Sequence, residues 1–230
     1  MSERTLCIDI GGTGIKALVL GPDGEPLTER GRIATPRPAT PRAVLKAILG
    51  LAKAQGEYDR VSVGFPGVVR RGVVETAHNL TPSWIGERLD RVLSRALGKP
   101  VRAANDADVQ GLGVVRGRGV ELVITLGTGF GSALFVDGKL VHNIQLGHHA
   151  AWRNKTYEEE LGAAALKKAG KTKWNRRLAR AIRTLEQLFN YDALYIGGGN
   201  ARKIKIDLPP RVRIVPNAAG LFGGIALWRE

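Results

Sequence analysis

The sequence predicts an α/β protein built from two similar halves, with a cleft expected between the lobes they form. Three observations predict this: strand-like and helix-like patterns alternate along the chain, a glycine turn at 11–14 joins two β-rich runs, and a second such hairpin surrounds Gly-Thr-Gly-Phe-Gly at 127–131. Residues 6–10 and 15–20 form the first hairpin, and a third strand over 27–34 makes the opening a meander. A dinucleotide-binding fold needs a helix after its first glycine turn, so the meander disfavours one. The proline run 36–41 delivers a helix over 42–53, and a strand over 60–65 ends in Gly-Phe-Pro-Gly. A helix over 85–97 and a short strand over 101–104 follow. Asn105 or Asp106 caps the next helix, which runs to about residue 116. In the second half, strands over 121–126 and 132–136 precede helices over 156–169 and 173–189. A strand over 193–196 enters Gly197-Gly198-Gly199, and a strand over 212–215 and a closing helix over 218–228 complete the chain. No low-complexity linker separates the lobes, which are expected at 1–104 and 105–230, with the last helix available to pack back on the first.

At 230 residues, 43% hydrophobic and 24% charged, the chain can bury a full core. Its apolar runs are strand-sized, short of the roughly 20 residues of a membrane helix. The N-terminus passes from MSERT to LCIDI without a signal-peptide pattern, so a cytoplasmic location is expected. Cys7 is the single cysteine, which rules out an internal disulfide and a cysteine metal cluster and suits a reduced, buried thiol. The balance of 35 Lys and Arg against 21 Asp and Glu gives a net charge of +14. Such a field attracts polyanions: nucleic acid, an acidic membrane surface or a phosphate polymer. Eight basic residues lie between Lys167 and Arg183, with no acidic residue between Glu160 and Glu186. Two readings stand for that segment: a solvated helical face opposite an apolar stripe of Leu178, Ile182, Leu185 and Leu188, or a surface that holds a polyanion.

The glycine turns carry specific chemistry. A phosphate needs several backbone N–H groups converging on it, and glycine permits both positive φ and close approach. Gly11, Gly12 and Thr13 form one such seat, and Gly127, Thr128 and Gly129 the other, with a threonine at the same place in each. Gly197 and Gly198 offer a further seat for phosphate or nucleotide. Asp9 is placed to orient Mg2+ through water, or else caps the turn. Lys16 supplies a cation to a transferred phosphoryl, or is an edge-strand lysine. Asp106 is the candidate catalytic base, since an ionised carboxylate can take the proton of an attacking alcohol. Asp108 is expected to be structural.

Taken in order and spacing, DIGGTGIK (9–16), GFPG (64–67), SWIG (83–86), ANDAD (104–108), TLGTGFGSALFVDG (125–138), QLGH (145–148), GGG (197–199) and NAAGLFGG (217–224) resemble the ROK family of sugar kinases, most closely its polyphosphate glucokinase branch. The resemblance spans nearly the whole chain. It implies a two-lobed, actin-like fold of the hexokinase/ribonuclease H type and a kinase that joins a hexose, with glucose as the first expectation, to polyphosphate and/or ATP. A homodimer is implied too. By resemblance Asp106 is the base, and Asn105, His148 and Glu158 contact the sugar, with the run Glu158-Glu159-Glu160 leaving the register open. Gly67 lies in a loop presenting backbone groups to the sugar, and 197–199 lies near a nucleotide's adenosine.

Two departures stand out. The cysteine cluster that binds zinc in most of the family is absent, as it is in the polyphosphate branch. The glutamate of the family's Glu-x-Gly-His motif is Gln145, and an amide both donates and accepts where a carboxylate only accepts. A sugar-binding protein with altered specificity or lost catalysis is therefore one alternative. A sugar-responsive regulator is another, disfavoured because the first phosphate turn starts at Asp9 and leaves no room ahead of it for a DNA-binding helix-turn-helix. Neither specific nucleic-acid binding nor membrane association is expected.

Overall fold

The computed structural model describes residues 3–216 and 219–229. It divides into two compact units, one running to Gly113 and regaining the chain from Gly220, the other Val114–Ala219.

In the first unit β1 (Thr5–Ile10), β2 (Gly14–Leu20) and β3 (Gly31–Ala34) form the expected meander. Helix α1 (Pro41–Ala54) leads to β4 (Arg60–Phe65), and a small hairpin of β5 (Val69–Arg70) and β6 (Val73–Val74) precedes α2 (Leu89–Leu97), β7 (Val101–Asn105) and α3 (Asp106–Leu112). The sheet order is β3-β2-β1-β4-β7, antiparallel across β1–β3 and parallel across β1, β4 and β7. Alternation along β1 sends Leu6, Ile8 and Ile10 into the core with α1 and α2, and Cys7 to the other face against Leu221 and Ile225. Burial pushes the Cys7 thiol up to about 12, so it stays protonated.

Helix starts follow local chemistry. Thr40 accepts a hydrogen bond from Ala43 N and Pro41 opens α1. Helix α2 starts at Leu89 rather than 85, because Pro82–Trp84 forms a 3-10 turn and Gly86 has φ of 88°. Helix α3 stops at Leu112 and packs on β4 and β7, which moves the boundary of the first unit from 104 to 113.

The second unit repeats the plan. Strands β8 (Val120–Leu126), β9 (Phe130–Val136) and β10 (Lys139–Val141) form a meander. The pair β11 (Ala150–Trp152) and β12 (Lys155–Thr156) precedes α4 (Tyr157–Leu161) and α5 (Ala163–Phe189), and β13 (Ala193–Gly197) and β14 (Val212–Ile214) follow. Sheet order β10-β9-β8-β13-β14, with β8, β13 and β14 parallel, matches the first sheet strand for strand. The helix break expected after 169 is a single residue, Gly170, at φ 74°. Trp174, Leu178, Ala181, Ile182 and Leu185 are buried, whereas Leu188 is 60% exposed and the last turn keeps its hold on the core through Phe189 instead.

The C-terminal segment packs on the first unit. Ser62 Oγ donates to Gly224 O at 2.5 Å and accepts from Trp228 Nε1 at 2.8 Å, while Arg60 and Arg102 lie 5.0 and 4.8 Å from the Trp228 ring centre. The expected continuous helix is instead α6 (Ala219–Phe222) and a 3-10 turn, Ala226–Trp228. Between them a Cβ on Gly223 would overlap Val109 O, and one on Gly224 would meet Cys7 Sγ at 2.5 Å. Residue 218 of that expected helix lies outside the described residues. Among the described residues no helix is long and apolar enough to cross a membrane.

Ser62→Ala strands the Trp228 N–H and the Gly224 carbonyl in a buried setting, an expected cost of about 1–3 kcal/mol. Urea denaturation should register the loss, and limited proteolysis should cut first within 220–229.

Candidate active site

Asp106 stands at the C-terminal edge of three parallel strands. Register aligns Asp9 with Gly64 and Gly64 with Ala104, so the chain leaves β7 at Asn105 and enters α3 against β4, the strand that pairs with β1 at Asp9. A Cβ on Gly64 would lie 3.4 Å from Asp106 Cα, which shows how closely α3 approaches β4. Asn105 fixes that entry. Its Oδ1 accepts from Ala107 N at 2.9 Å and Asp108 N at 3.3 Å, and its Nδ2 donates to Gly67 O at 3.1 Å. Asn105 is 5% exposed, so it positions the site more than it faces a ligand. Asp108 is buried, as a structural role requires.

Burial, and then the Asp9 carboxylate, push the Asp106 carboxyl up to about 7; the Ala107 N–H and the Lys16 ammonium oppose the shift. A carboxyl poised there can accept a proton near neutral pH. Lys16 Nζ meets Asp9 Oδ2 at 2.6 Å. Lys16 lies on β2 between β1 and β3, so it is not an edge-strand residue, and Asp9 bonds this lysine rather than capping the turn.

The first glycine turn is anchored from behind. Gly11 O accepts from Thr35 Oγ1 at 2.6 Å, Gly12 O from Arg37 Nη2 at 2.9 Å and Thr13 O from Thr35 N at 3.4 Å. Because a trans peptide sets its N–H opposite its C=O, the N–H groups of Gly12 and Thr13 point away from Thr35 and Arg37. None of Gly11, Gly12 and Gly14 has positive φ. Close neighbours require glycine there, with Gly14 O 2.9 Å and Asn79 Cβ 3.1 Å from Cβ positions on Gly11 and Gly12.

The second turn uses the same device. Ala163 N bonds Gly127 O and Thr128 O, both at 3.1 Å, and Asn200 Nδ2 bonds Gly127 O at 2.9 Å. The N–H groups of Thr128 and Gly129 are thereby turned the other way. Nothing lies within 4 Å of a Cβ built on Gly127, and Thr128, like Thr13, is exposed. Gly197 ends β13 opposite Thr125, and Gly198, at φ 87°, presses on the Leu126 backbone, which a Cβ would overlap. Gly198 and Gly199 also border a depression of about 560 Å³ shared with Arg202 and Pro216.

Gln145 and His148 lie in a segment docked on β9. Ser132 Oγ donates to Ile144 O and accepts from Leu146 N, both at 3.0 Å, and a Cβ on Gly147 would overlap Phe130 O. Gln145 is half-buried and His148 exposed. The three glutamates separate by function. Glu159 completes a capping box with Thr156; Glu160 is 2% exposed and pairs with Arg177 at 3.0 Å; Glu158 Oε2 accepts from Phe130 N at 3.1 Å, tying α4 to the second turn. Glu158 is therefore the one beside the turn.

Gly67 departs from expectation. Its N–H bonds Phe65 O and its carbonyl takes Asn105, while a Cβ would overlap Thr76 O, so it is a packing glycine. Sequence reasoning missed Thr35, Arg37, Ser132 and Asn200, whose anchoring partners are distant in sequence. Among the described residues no group of three or more His, Cys, Asp or Glu is arranged to hold a metal.

Residues 5–157 match the ROK family. The chain is 35% identical, over 94% of its length and 88% of the relative's, to a polyphosphate glucokinase of Mycobacterium tuberculosis (strain CDC 1551 / Oshkosh). Among solved structures, an inorganic polyphosphate/ATP-glucomannokinase from Arthrobacter sp. strain KM matches with a TM-score of 0.89 at 37% identity, covering 98% of this chain and 99% of that one. A ROK family glucokinase from Streptomyces griseus, in complex with glucose and AMPPNP, matches with a TM-score of 0.84 at 21% identity, covering 97% of this chain and 98% of that one. The α/β fold is thus the actin-like fold of ROK sugar kinases.

A carboxyl at about 7 in the folded protein, against about 3.9 in the unfolded chain, binds more protons folded than unfolded between those values. Stability therefore falls as pH rises through this window. Asp106→Asn should relieve the cost, raising the unfolding free energy at pH 8 by on the order of 2 kcal/mol, a figure discounted for partial solvation, and by nothing below pH 4. Denaturant titrations at the two pH values measure the difference.

Proposed function

Because the chain belongs to the ROK family, we propose that it is a hexokinase-type sugar kinase that transfers a phosphoryl group from inorganic polyphosphate or ATP to glucose, at its 6-hydroxyl. The observation that carries the reaction is Asp106: a carboxyl raised to about 7, on the residue after the helix-capping Asn105 and close enough to Asp9 and Lys16 to feel both charges. It takes the hydroxyl proton as the oxygen attacks the terminal phosphorus of the donor, and the shortened phosphate or ADP leaves. Lys16 offsets charge on the transferred group. The N–H groups of Thr13 and Thr128 supply oriented dipoles for phosphate oxygens, needing no reorganisation during the reaction.

A magnesium ion fits only in a limited way. Asp9 already accepts the Lys16 ammonium, so its carboxylate would reach the ion through water, with donor phosphates as the main ligands. When bound, the ion neutralises phosphate charge. His148 and Gln145 contact the sugar in this reading, with Glu158 beside the turn bordering the same segment. A homodimer, carried over from the family resemblance, is tested by molar mass in solution.

A matrix of glucose and mannose against ATP and polyphosphate, with and without magnesium, tests the assignment. Asp106→Asn should lower kcat by about 10²–10⁴ with little change in the KM for glucose. Retention of most activity would remove Asp106 as the base. For the unaltered protein kcat/KM should rise about tenfold per pH unit below 7 and level off above it. Asp9→Asn removes a like charge and leaves Lys16 to Asp106, so the acid limb should shift to lower pH. Gln145→Glu should change the KM for glucose several-fold, with kcat within about twofold, if this side chain binds the ground state and transition state alike.

A further inference from the structure

The second half of α5 carries a row of like charges that the phosphoryl-transfer chemistry does not use. After the break at Gly170, Lys173, Arg176, Arg180 and Arg183 recur at intervals of three and four residues and are all exposed. They fall on the face opposite Trp174, Leu178 and Leu185, which are buried. The row is about 15 Å long, at about 1.5 Å per residue. Adjacent members stand within the roughly 8 Å screening length of physiological salt, so their fields add.

A solvated helix face normally mixes signs, and like charges three or four residues apart weaken the helix that carries them. Here no acidic residue intervenes between Glu160 and Glu186. Among the described residues only Arg177 of this helix makes an ion pair, with Glu160 on the flank. The same helix begins on the second phosphate turn, where Ala163 N bonds the carbonyls of Gly127 and Thr128, and Lys167 and Lys168, also exposed, stand between that turn and the break.

We propose that this cationic row of α5 binds the distal part of a long polyphosphate chain whose reacting end lies at the Gly127–Gly129 turn. The inference rests on polyphosphate being a donor and adds where the chain beyond the reacting end is held. A linear polymer with one negative charge per repeat needs cations in a line and no base-stacking surface. The row supplies the first. Among the described residues Trp174, on the same helix, is buried, and Trp152 is stacked by Arg180 at 4.9 Å, so neither ring offers a nucleobase an open face toward the row.

The test compares the full-length protein with a variant carrying Lys173→Gln, Arg176→Gln, Arg180→Gln and Arg183→Gln, using glucose with ATP, with tripolyphosphate and with polyphosphate of hundreds of units. The variant should raise the KM for the long polymer at least tenfold and leave the KM values for ATP and tripolyphosphate within twofold. The salt dependence of the long-polymer KM should flatten, by about 0.7–0.9 in logarithmic slope for each phosphate that the variant no longer neutralises, as for nucleic acids. Should the fourfold variant unfold, Arg176→Gln with Arg183→Gln gives the same comparison at half the effect on a logarithmic scale. An unchanged long-polymer KM overturns the proposal, and so does an equal loss with all three donors. Single-stranded DNA of matched charge should compete at least tenfold more weakly than the polymer for the unaltered protein; equal competition overturns the proposal in favour of nucleic acid. Failure of the unaltered protein to use polyphosphate of any length would instead overturn the donor assignment on which the proposal rests.

Discussion

The side chain of Asn105 is the constraint on which the reactive half of the first unit depends. One buried amide closes the N-terminus of α3 with its oxygen and holds the Gly67 carbonyl with its nitrogen. It fixes where the backbone of Asp106 enters the helix, against β4 and close enough to Asp9 for the two charges to oppose each other. Removing water from a carboxylate that already has an acidic neighbour is unfavourable. The Ala107 N–H donates to the Asp106 carboxylate at 2.8 Å as well as to Asn105, so rotating Asp106 away would give up that bond while Asn105 goes on capping the helix.

The duplicated sheets apply a similar device to the two glycine turns. In each unit the turn between the first two strands has its carbonyls gripped from outside: by Thr35 and Arg37 in one, by Asn200 and the start of α5 in the other. Peptide planarity then aims the opposite N–H groups without any residue touching them. The two turns differ in crowding. Gly11 and Gly12 are hemmed in by Gly14 and Asn79, whereas Gly127 has open space beside it.

Much of this was legible in the sequence because it is local. The hairpins, the cap at Asn105, the proline run that leads into α1, and the matched positions of Thr13 and Thr128 all follow from residues within a few positions of one another. Predictions failed where a distant neighbour decides. Gly223 and Gly224 read as tolerable within a helix until Val109 and Cys7 are seen against them. Leu188 continues an apolar period but projects past the core. Three consecutive glutamates cannot be told apart by type; one caps, one is buried with Arg177, and one meets the Phe130 amide. Positive φ is one expected reason for glycine in the two turns, yet none of Gly11, Gly12, Gly127 and Gly129 has it, and close neighbours crowd Gly11 and Gly12 but not Gly127.

The return of the C-terminal segment to the first unit has a consequence for biosynthesis. Residues 114–219 form one uninterrupted stretch and can fold as soon as they leave the ribosome, but the sheet that holds Asp106 keeps one face uncovered until Leu221, Ile225 and Trp228 arrive. The half made first is thus finished last. Its apolar underside, with Cys7 at the centre, waits for residues 220–229, so a chain cut after Ala219 would keep the second unit and leave the first unsealed.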